Sequence, residues 1–246
     1  MISVTILNKD SERTLLKVLD SLKSFDDILI LDTGSTDSSL EIAQRYPNVQ
    51  IHKTAFTGFG ELHNKASSLA KHDWILSLDS DEEMTPMLQK ELQNTSFKKD
   101  CVYSFPMHNY YNGKFIKCCG WYPDRHIRLY NKTITAFTNA HVHEGIISKG
   151  LQEITLQSPV NHYSYASISD FLSKMQRYSD LFAEQNKGKK KSSLSKAILH
   201  GIGAFVKSFF IKKGLLGGYE GFVISIYNAN TAFYKYLKLY EANNRL

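Results

Sequence analysis

Residues Trp74–Glu83 read WILSLDSDEE. Ile75, Leu76 and Leu78 form a short apolar run of the kind a buried strand carries. Asp79, Asp81, Glu82 and Glu83 follow at once. Parallel strands of an open α/β sheet present ligand-binding groups at their carboxyl ends. Carboxylates gathered there repel one another unless a cation sits among them. Hard oxygen donors favour Mg²⁺ or Mn²⁺, ions that commonly carry substrate phosphates. The stretch is therefore read as a strand that delivers a metal–diphosphate site at Asp79 and Asp81. The competing reading is a solvated turn in which Asp caps a helix that starts near Thr85-Pro86. Glu82 and Glu83 are assigned to that helix-leading role.

Upstream, Ile2–Leu7 reads as a first strand ending at Asn8, and Ser11 as the cap of a helix with Leu15, Leu16, Leu19 and Leu22 at helical spacing. Asp27–Leu31 is a second strand, ending at Asp32. Thr33–Asp37 is a turn leading to a helix through Ile42 and Ala43, with Ser35 or Thr36 as its cap and Asp37 facing its dipole. Val49–His52 is a third strand, Phe56–Gly60 a loop and Glu61–Ala70 a third helix. Strand–helix alternation at this spacing predicts a parallel, Rossmann-like sheet. Two acidic strand ends, Asp32 and Asp79, then share one sheet edge. Asp32 is read either as a ligand-binding acid or as the opener of a turn with Gly34.

Downstream the pattern changes. A helix over Thr85–Gln93 precedes a β-rich run, Cys101–Tyr110. Asn112-Gly113 is a hairpin signal, and Phe115–Cys119 is the returning strand. Short strands follow at Ile127–Tyr130 and Val160–Tyr163. From Ser167 the periodicity is helical. A basic break, Lys187–Lys191, precedes two apolar helical segments, Leu194–Ile211 and Tyr219–Tyr240. The expected organisation is an α/β domain over residues 1–165 and a helical C-terminal region over 166–246.

The 246 residues carry a net charge of +6, with a pI of about 9.0, which points to an anionic partner. Cys101, Cys118 and Cys119 suit neither a disulfide framework nor a four-cysteine zinc site. Adjacent Cys118-Cys119 is read as a reduced pair in a strand, consistent with a cytosolic compartment. MISVTILNKD lacks the pattern of a signal peptide, and no apolar run is read as long enough to span a membrane. A nucleic-acid-binding module is permitted by the charge, but no nucleic-acid motif is recognised, so no nucleic-acid partner is assigned.

SVTILNKD, LDTGSTD and SLDSDEE, taken together, resemble the family 2 glycosyltransferases of the GT-A fold, a nucleotide-binding mixed sheet flanked by helices. FTGFGELHNKA, GWYPDRHIRLY, HVHEG, NHYSY and GGYEGF extend the resemblance to the lipopolysaccharide inner-core β-1,4-glucosyltransferase group. The resemblance implies an inverting transfer of a hexose, glucose from UDP-glucose, to an inner-core sugar of lipopolysaccharide or lipooligosaccharide. It implies that Asn8, Asp32, His63 and Asp79 contact the donor, Asp32 at the uracil ring and Asp79 at the ribose or, through water, at the metal. It implies Mg²⁺ or Mn²⁺ held by Asp81, with His162 as a further ligand. The group carries a basic residue, typically Lys, near position 63. The His63 found here, followed by Lys65, would neutralise less charge. A general base must deprotonate the acceptor hydroxyl, and Glu144 in HVHEG is the candidate, placed where partial burial favours a raised carboxyl pKa. The alternatives are an exposed loop acid or a partner of Arg125 or Arg128. Trp121, Tyr122, Asp124 and Arg125 form an aromatic–polar cluster suited to an acceptor sugar. His141 and His143 lack a third ligand and make a weak zinc pair. The rival readings are a family 2 enzyme acting on another glycan or a lipid phosphate, and a non-catalytic nucleotide-sugar-binding module.

The tail carries a separate signal. Lysines at 187, 189, 190 and 191 stand beside helices rich in aromatics, and Phe222, Ile226, Phe233 and Leu237 recur near one helix face. This suits adsorption to an anionic membrane surface, on the inner face of a bacterial inner membrane. A helical cap or an oligomer interface is the alternative.

Overall fold

The computed structural model describes residues 1–139 and 144–244. His141 and His143 lie outside the described residues. In chain order the elements are β1 (Ile2–Asn8), α1 (Glu12–Asp20), β2 (Ile28–Asp32), α2 (Ser39–Ala43), β3 (Val49–Lys53), α3 (Phe59–Leu69), β4 (Trp74–Asp79), β5 (Glu82–Met84) and α4 (Pro86–Asn94). They continue with β6 (Cys101–Tyr111), β7 (Lys114–Phe115), β8 (Arg125–Asn131), β9 (Gln152–Thr155), β10 (Val160–Tyr165), α5 (Ile168–Asn186), α6 (Leu194–Val206) and α7 (Gly218–Asn244). A π-helical turn, Lys207–Ile211, and a 3-10 turn, Gly214–Gly217, lie between α6 and α7.

The chain divides into two compact units, residues 1–108 with 124–163, and residues 109–123 with 164–246. The segment 109–123 belongs to the same unit as the C-terminal helices. The sheet order is β3-β2-β1-β4-β8-β6-β10-β5, with β7 and β9 paired to β6.

In the first unit, β1, β2, β3 and β4 are mutually parallel, and β8 joins β4 antiparallel. Every residue of β2 is buried, as expected of a strand covered on both faces. On one face Ile28 and Ile30 join Val4, Ile6, Leu76 and Leu78 against Leu15, Val18 and Leu19 of α1. On the other, Leu29 and Leu31 meet Leu62 and Ala66 of α3. Register sets the functional edge. Asn8 pairs with Asp32, and Leu7 pairs with Asp79. Three polar strand ends therefore arrive together.

Several local expectations are corrected. Ser11 occupies the N-cap of α1 without a side-chain cap, and α2 begins only at Ser39, behind Ser38. Glu82 and Glu83 form a strand rather than a helix lead, and Thr85 caps α4 by accepting from Leu88 N–H. The returning strand of the 112–113 hairpin stops at Phe115.

In the second unit, Cys118 and Cys119 are free thiols in a turn, not a strand. Cys119 packs among Gly221 and Ser225 of α7. The glycines there allow two backbones to meet. A Cβ on Gly221 would lie 2.0 Å from the Gly214 carbonyl oxygen, a distance no side chain tolerates. Tyr111, Ile116, Phe171 and Ile224 form this unit's core, with Trp121, Tyr165 and Tyr227 against it. Leu194–Ile211 is long and apolar enough to cross a membrane by length and composition, which corrects the expectation that no run reaches that length. The expected apolar face of α7 is divided. Phe222 and Ile226 are exposed, whereas Phe233 faces Gly201 of α6.

Candidate active site

The edge where β1, β2 and β4 end is built from two unlike carboxylates. Asp32 is buried, and its Oδ2 accepts from the N–H groups of Gly34 (3.0 Å) and Ser35 (3.1 Å). Its Oδ1 accepts from Asn8 Nδ2 at 3.0 Å and from the Ser35 hydroxyl. A carboxylate offers about four lone-pair sites, and four donors use them. Burial alone would raise this carboxyl's pKa, but those hydrogen bonds outweigh burial and lower it. The structure thus shows the turn-opening arrangement for Asp32. Asn8 braces the same turn, donating also to Ser35 Oγ at 3.0 Å, while its own buried Oδ1 has no partner among the described residues.

Asp79 is held differently. Its side chain is 42% exposed, and Oδ2 accepts from Arg128 Nη2 at 2.7 Å. The same nitrogen donates to Glu82, which is fully buried. Glu82 in turn accepts from the Asp79 N–H at 3.0 Å. Burial pushes Glu82 toward its protonated form against the pull of Arg128, and the Asp79 charge adds to the push. For Asp79 the burial effect is overcome by Arg128, which holds the carboxyl well below the usual range. Neither Glu82 nor Arg128 was read as part of the site. The signal available was charge balance: a dense acidic run in a chain whose GWYPDRHIRLY segment supplies an arginine on a neighbouring strand.

The turn between β4 and β5 is pinned to α1. Ser80 Oγ shares a hydrogen bond with Ser11 Oγ (2.7 Å), and the Ser80 carbonyl accepts from Thr14 Oγ1 (2.8 Å). Asp81 is half-buried, with its Oδ1 3.5 Å from His162 Nε2. Burial would lower the His162 pKa, but Asp81, then Glu82 and Asp79, raise it. The two residues expected to hold a metal are therefore neighbours. Their separation is near the roughly 3 Å between adjacent ligands of an octahedral ion. Asp81 and His162 are the two residues here that could hold a metal. Among the described residues no group of three or more His, Cys, Asp or Glu stands ready to hold a metal.

His63, expected to contact the donor, lies in the core. It is 3% exposed, stacked on Phe137 with centroids 4.2 Å apart, and hydrogen-bonded through Nδ1 to Ser77 Oγ at 3.1 Å. Burial, opposed by Asp79 and aided by Arg128, lowers its pKa to about 4. A neutral ring packs well there, between Phe137 and Ser77. Lys65 is engaged with Thr54 Oγ1 at 2.7 Å.

Glu144 is half-buried, and Arg128, one of its expected partners, is committed to Asp79 and Glu82. The aromatic–polar cluster falls in two parts. Trp121 and Tyr122 belong to the second unit and Asp124 and Arg125 to the first. Trp121 stacks on Tyr165 at 5.4 Å and Tyr122 meets Phe115 edge-on. Asp124 pairs with His126 at 3.1 Å, and Arg125 is exposed.

A parallel run β3-β2-β1-β4, continued by antiparallel strands and ending in acids on β2 and β4, is the GT-A form of the α/β class. The chain belongs to glycosyl transferase family 2, which its residues 2–154 match. An uncharacterized glycosyltransferase of Rickettsia typhi is 30% identical, over 98% of this chain and 87% of its own. The lipopolysaccharide core biosynthesis glycosyltransferase LpsC of Rhizobium meliloti is 23% identical, over 98% and 92%. Among solved structures, the mannosyltransferase PcManGT of Pyrobaculum calidifontis, in complex with GDP-Man and Mn²⁺, is similar in fold. Its TM-score is 0.56 and its identity 12%, over 97% of this chain and 86% of its own.

Proposed function

We propose that this chain transfers a hexose, with inversion, from a UDP-sugar, glucose being the donor sugar favoured, to an inner-core sugar of membrane-borne lipopolysaccharide or lipooligosaccharide. The observation that carries the reading is the pinned Asp79–Asp81 turn, set by register beside Asn8 and Asp32 in a chain of family 2. The 23% relative named for lipopolysaccharide core biosynthesis supports the acceptor class.

In this reading Asp79 meets the ribose, and Asp81 with His162 holds Mg²⁺ or Mn²⁺. The ion, when bound, offsets the charge that builds on the leaving diphosphate. Base recognition by Asp32 requires Ser35 to yield one of its hydrogen bonds. Glu144 takes the proton from the acceptor hydroxyl as that oxygen bonds the anomeric carbon and the bond to the diphosphate breaks. Attack from the opposite face inverts the centre. Trp121 and Tyr122 offer ring faces to a sugar, while Asp124 and Arg125 offer polar groups for hydroxyls or phosphate. The work is done at the cytoplasmic face of the inner membrane.

The test is Glu144→Gln, assayed with UDP-glucose, Mn²⁺ and truncated-core lipopolysaccharide. Donor binding is retained and transfer falls roughly 10²–10⁴-fold, the usual scale for a lost general base. Near-normal transfer removes Glu144 from the role. Failure of the wild type to release UDP from any UDP-sugar, with metal and acceptor present, overturns the enzymatic reading.

A further inference from the structure

The second unit shows its large apolar side chains to solvent. Leu194, Ile198, Ile202, Val206 and Phe210 recur every fourth residue along α6 and the π-helical turn, and they are 42% to 58% exposed. The opposite side of α6 is small. Ala197 is fully buried, and a Cβ on Gly201 would lie 3.1 Å from the Phe233 Cβ of α7. This helix packs by its small face and presents its large one, the reverse of a surface helix in a globular protein. Leu216, in the 3-10 turn, is 80% exposed.

Charge indicates what covers it. Residues 187–218 contain eight lysines and neither Asp nor Glu. Lys189, Lys190 and Lys191 before α6, and Lys207, Lys212 and Lys213 after it, are all exposed. A second copy docking on the same stripe would bring lysine against lysine, since a two-fold interface is self-complementary. An anionic bilayer matches both properties, with acyl chains for the stripe and lipid phosphates for the lysines.

We infer that α6, the π-helical turn and the 3-10 turn lie in the plane of an anionic lipid interface. The large apolar face sits among acyl chains and the lysines lie at headgroup level. The inference rests on the membrane-borne acceptor proposed above. It moves the lipid contact from α7, where sequence periodicity put it, to α6. It also makes the contact monotopic. The small face of α6 is occupied by α7, which carries Lys235, Lys238 and Glu241, so a crossing helix would draw those charges into the hydrocarbon.

The full chain is to be sedimented with phosphatidylglycerol-containing vesicles and with phosphatidylcholine vesicles, at low and high salt. Binding is expected to the anionic vesicles at low salt and to weaken at high salt. Lys189→Glu/Lys190→Glu/Lys191→Glu is expected to weaken it on the order of 100-fold or more. Ile198→Glu/Ile202→Glu abolishes it while leaving the thermal midpoint and hydrolysis of soluble UDP-sugar unchanged. Ile202→Trp gives a blue-shifted, bromolipid-quenched signal on vesicles. Met87→Trp, at an exposed position of α4, gives none. No binding of the wild type at low salt overturns the inference, as does binding that survives Ile198→Glu/Ile202→Glu. A dimer abolished by that variant, with no vesicle binding, assigns the stripe to a second copy. UDP-sugar hydrolysis without vesicle binding sinks the surface and spares the transferase. Vesicle binding without hydrolysis does the reverse.

Discussion

Asp32 and Asp79 end strands on either side of β1, and both carboxyls are held below their ordinary pKa. Asp32 is satisfied by neutral donors, three from the turn that follows it and one from Asn8. Asp79 depends on a guanidinium from β8, shared with a buried Glu82. The first arrangement costs little, because the chain folds its own amides onto the carboxylate. The second shares one guanidinium between a half-exposed Asp79 and a fully buried Glu82, and burial of Glu82 is tolerable only while that cation is present. One strand end is therefore a local turn and the other a long-range ion cluster, with different sensitivities.

The largest expected effect separates them at once. Arg128→Met leaves Glu82 buried without its cation and should lower unfolding stability by about 3–5 kcal/mol, read from the urea midpoint. Arg128→Met/Glu82→Met should recover most of that loss. An unchanged midpoint in the single variant would mean that water satisfies the acids, and the contrast with Asp32 would vanish.

A second effect comes from His63, which lies beneath this edge. Its folded pKa of about 4 is below the ordinary value of 6.5. Above pH 6.5 both folded and unfolded chains carry it neutral. As pH falls from 6.5 toward 4, the unfolded chain takes up a proton that the folded chain refuses, so stability falls, by up to roughly 3 kcal/mol. His63→Leu should flatten the stability profile in that window. A profile identical to wild type would show that the buried ring is not the titrating group.

The smallest effect belongs to Asp32. Asp32→Asn keeps the shape and loses charge-assisted acceptance, at about 2 kcal/mol. Faster amide exchange confined to Gly34 and Ser35 would mark the effect as local. Exchange spreading to β8 would tie the two strand ends together and break the distinction.

What the sequence disclosed follows the same division. β1, β2 and β4 and their polar ends were legible because apolar runs and turn residues act over a few positions; the start of α4 was legible too, but its cap is Thr85 and not an aspartate. The Gly34 turn was legible for the same reason. Arg128 and Glu82 were not, since their pairing joins strands 46 residues apart. His63 was read toward phosphate because its burial depends on Phe137, 74 positions away. The face of α6 was illegible for another reason. Both its faces are apolar, and periodicity cannot say that Ala197 and Gly201, rather than Ile198 and Ile202, meet the neighbouring helix.

The contact between Gly214 and Gly221 bears on how substitutions in this protein would be interpreted. In a library covering every position and scored on sugar transfer, Gly221 would be as intolerant as Asp81 in the metal-holding role proposed for it, and GGYEGF would pass for catalytic machinery. A parallel score on cellular abundance would part them. Gly221 variants would vanish from the cell, because two backbones no longer fit, whereas Asp81 variants would accumulate as inert, folded protein.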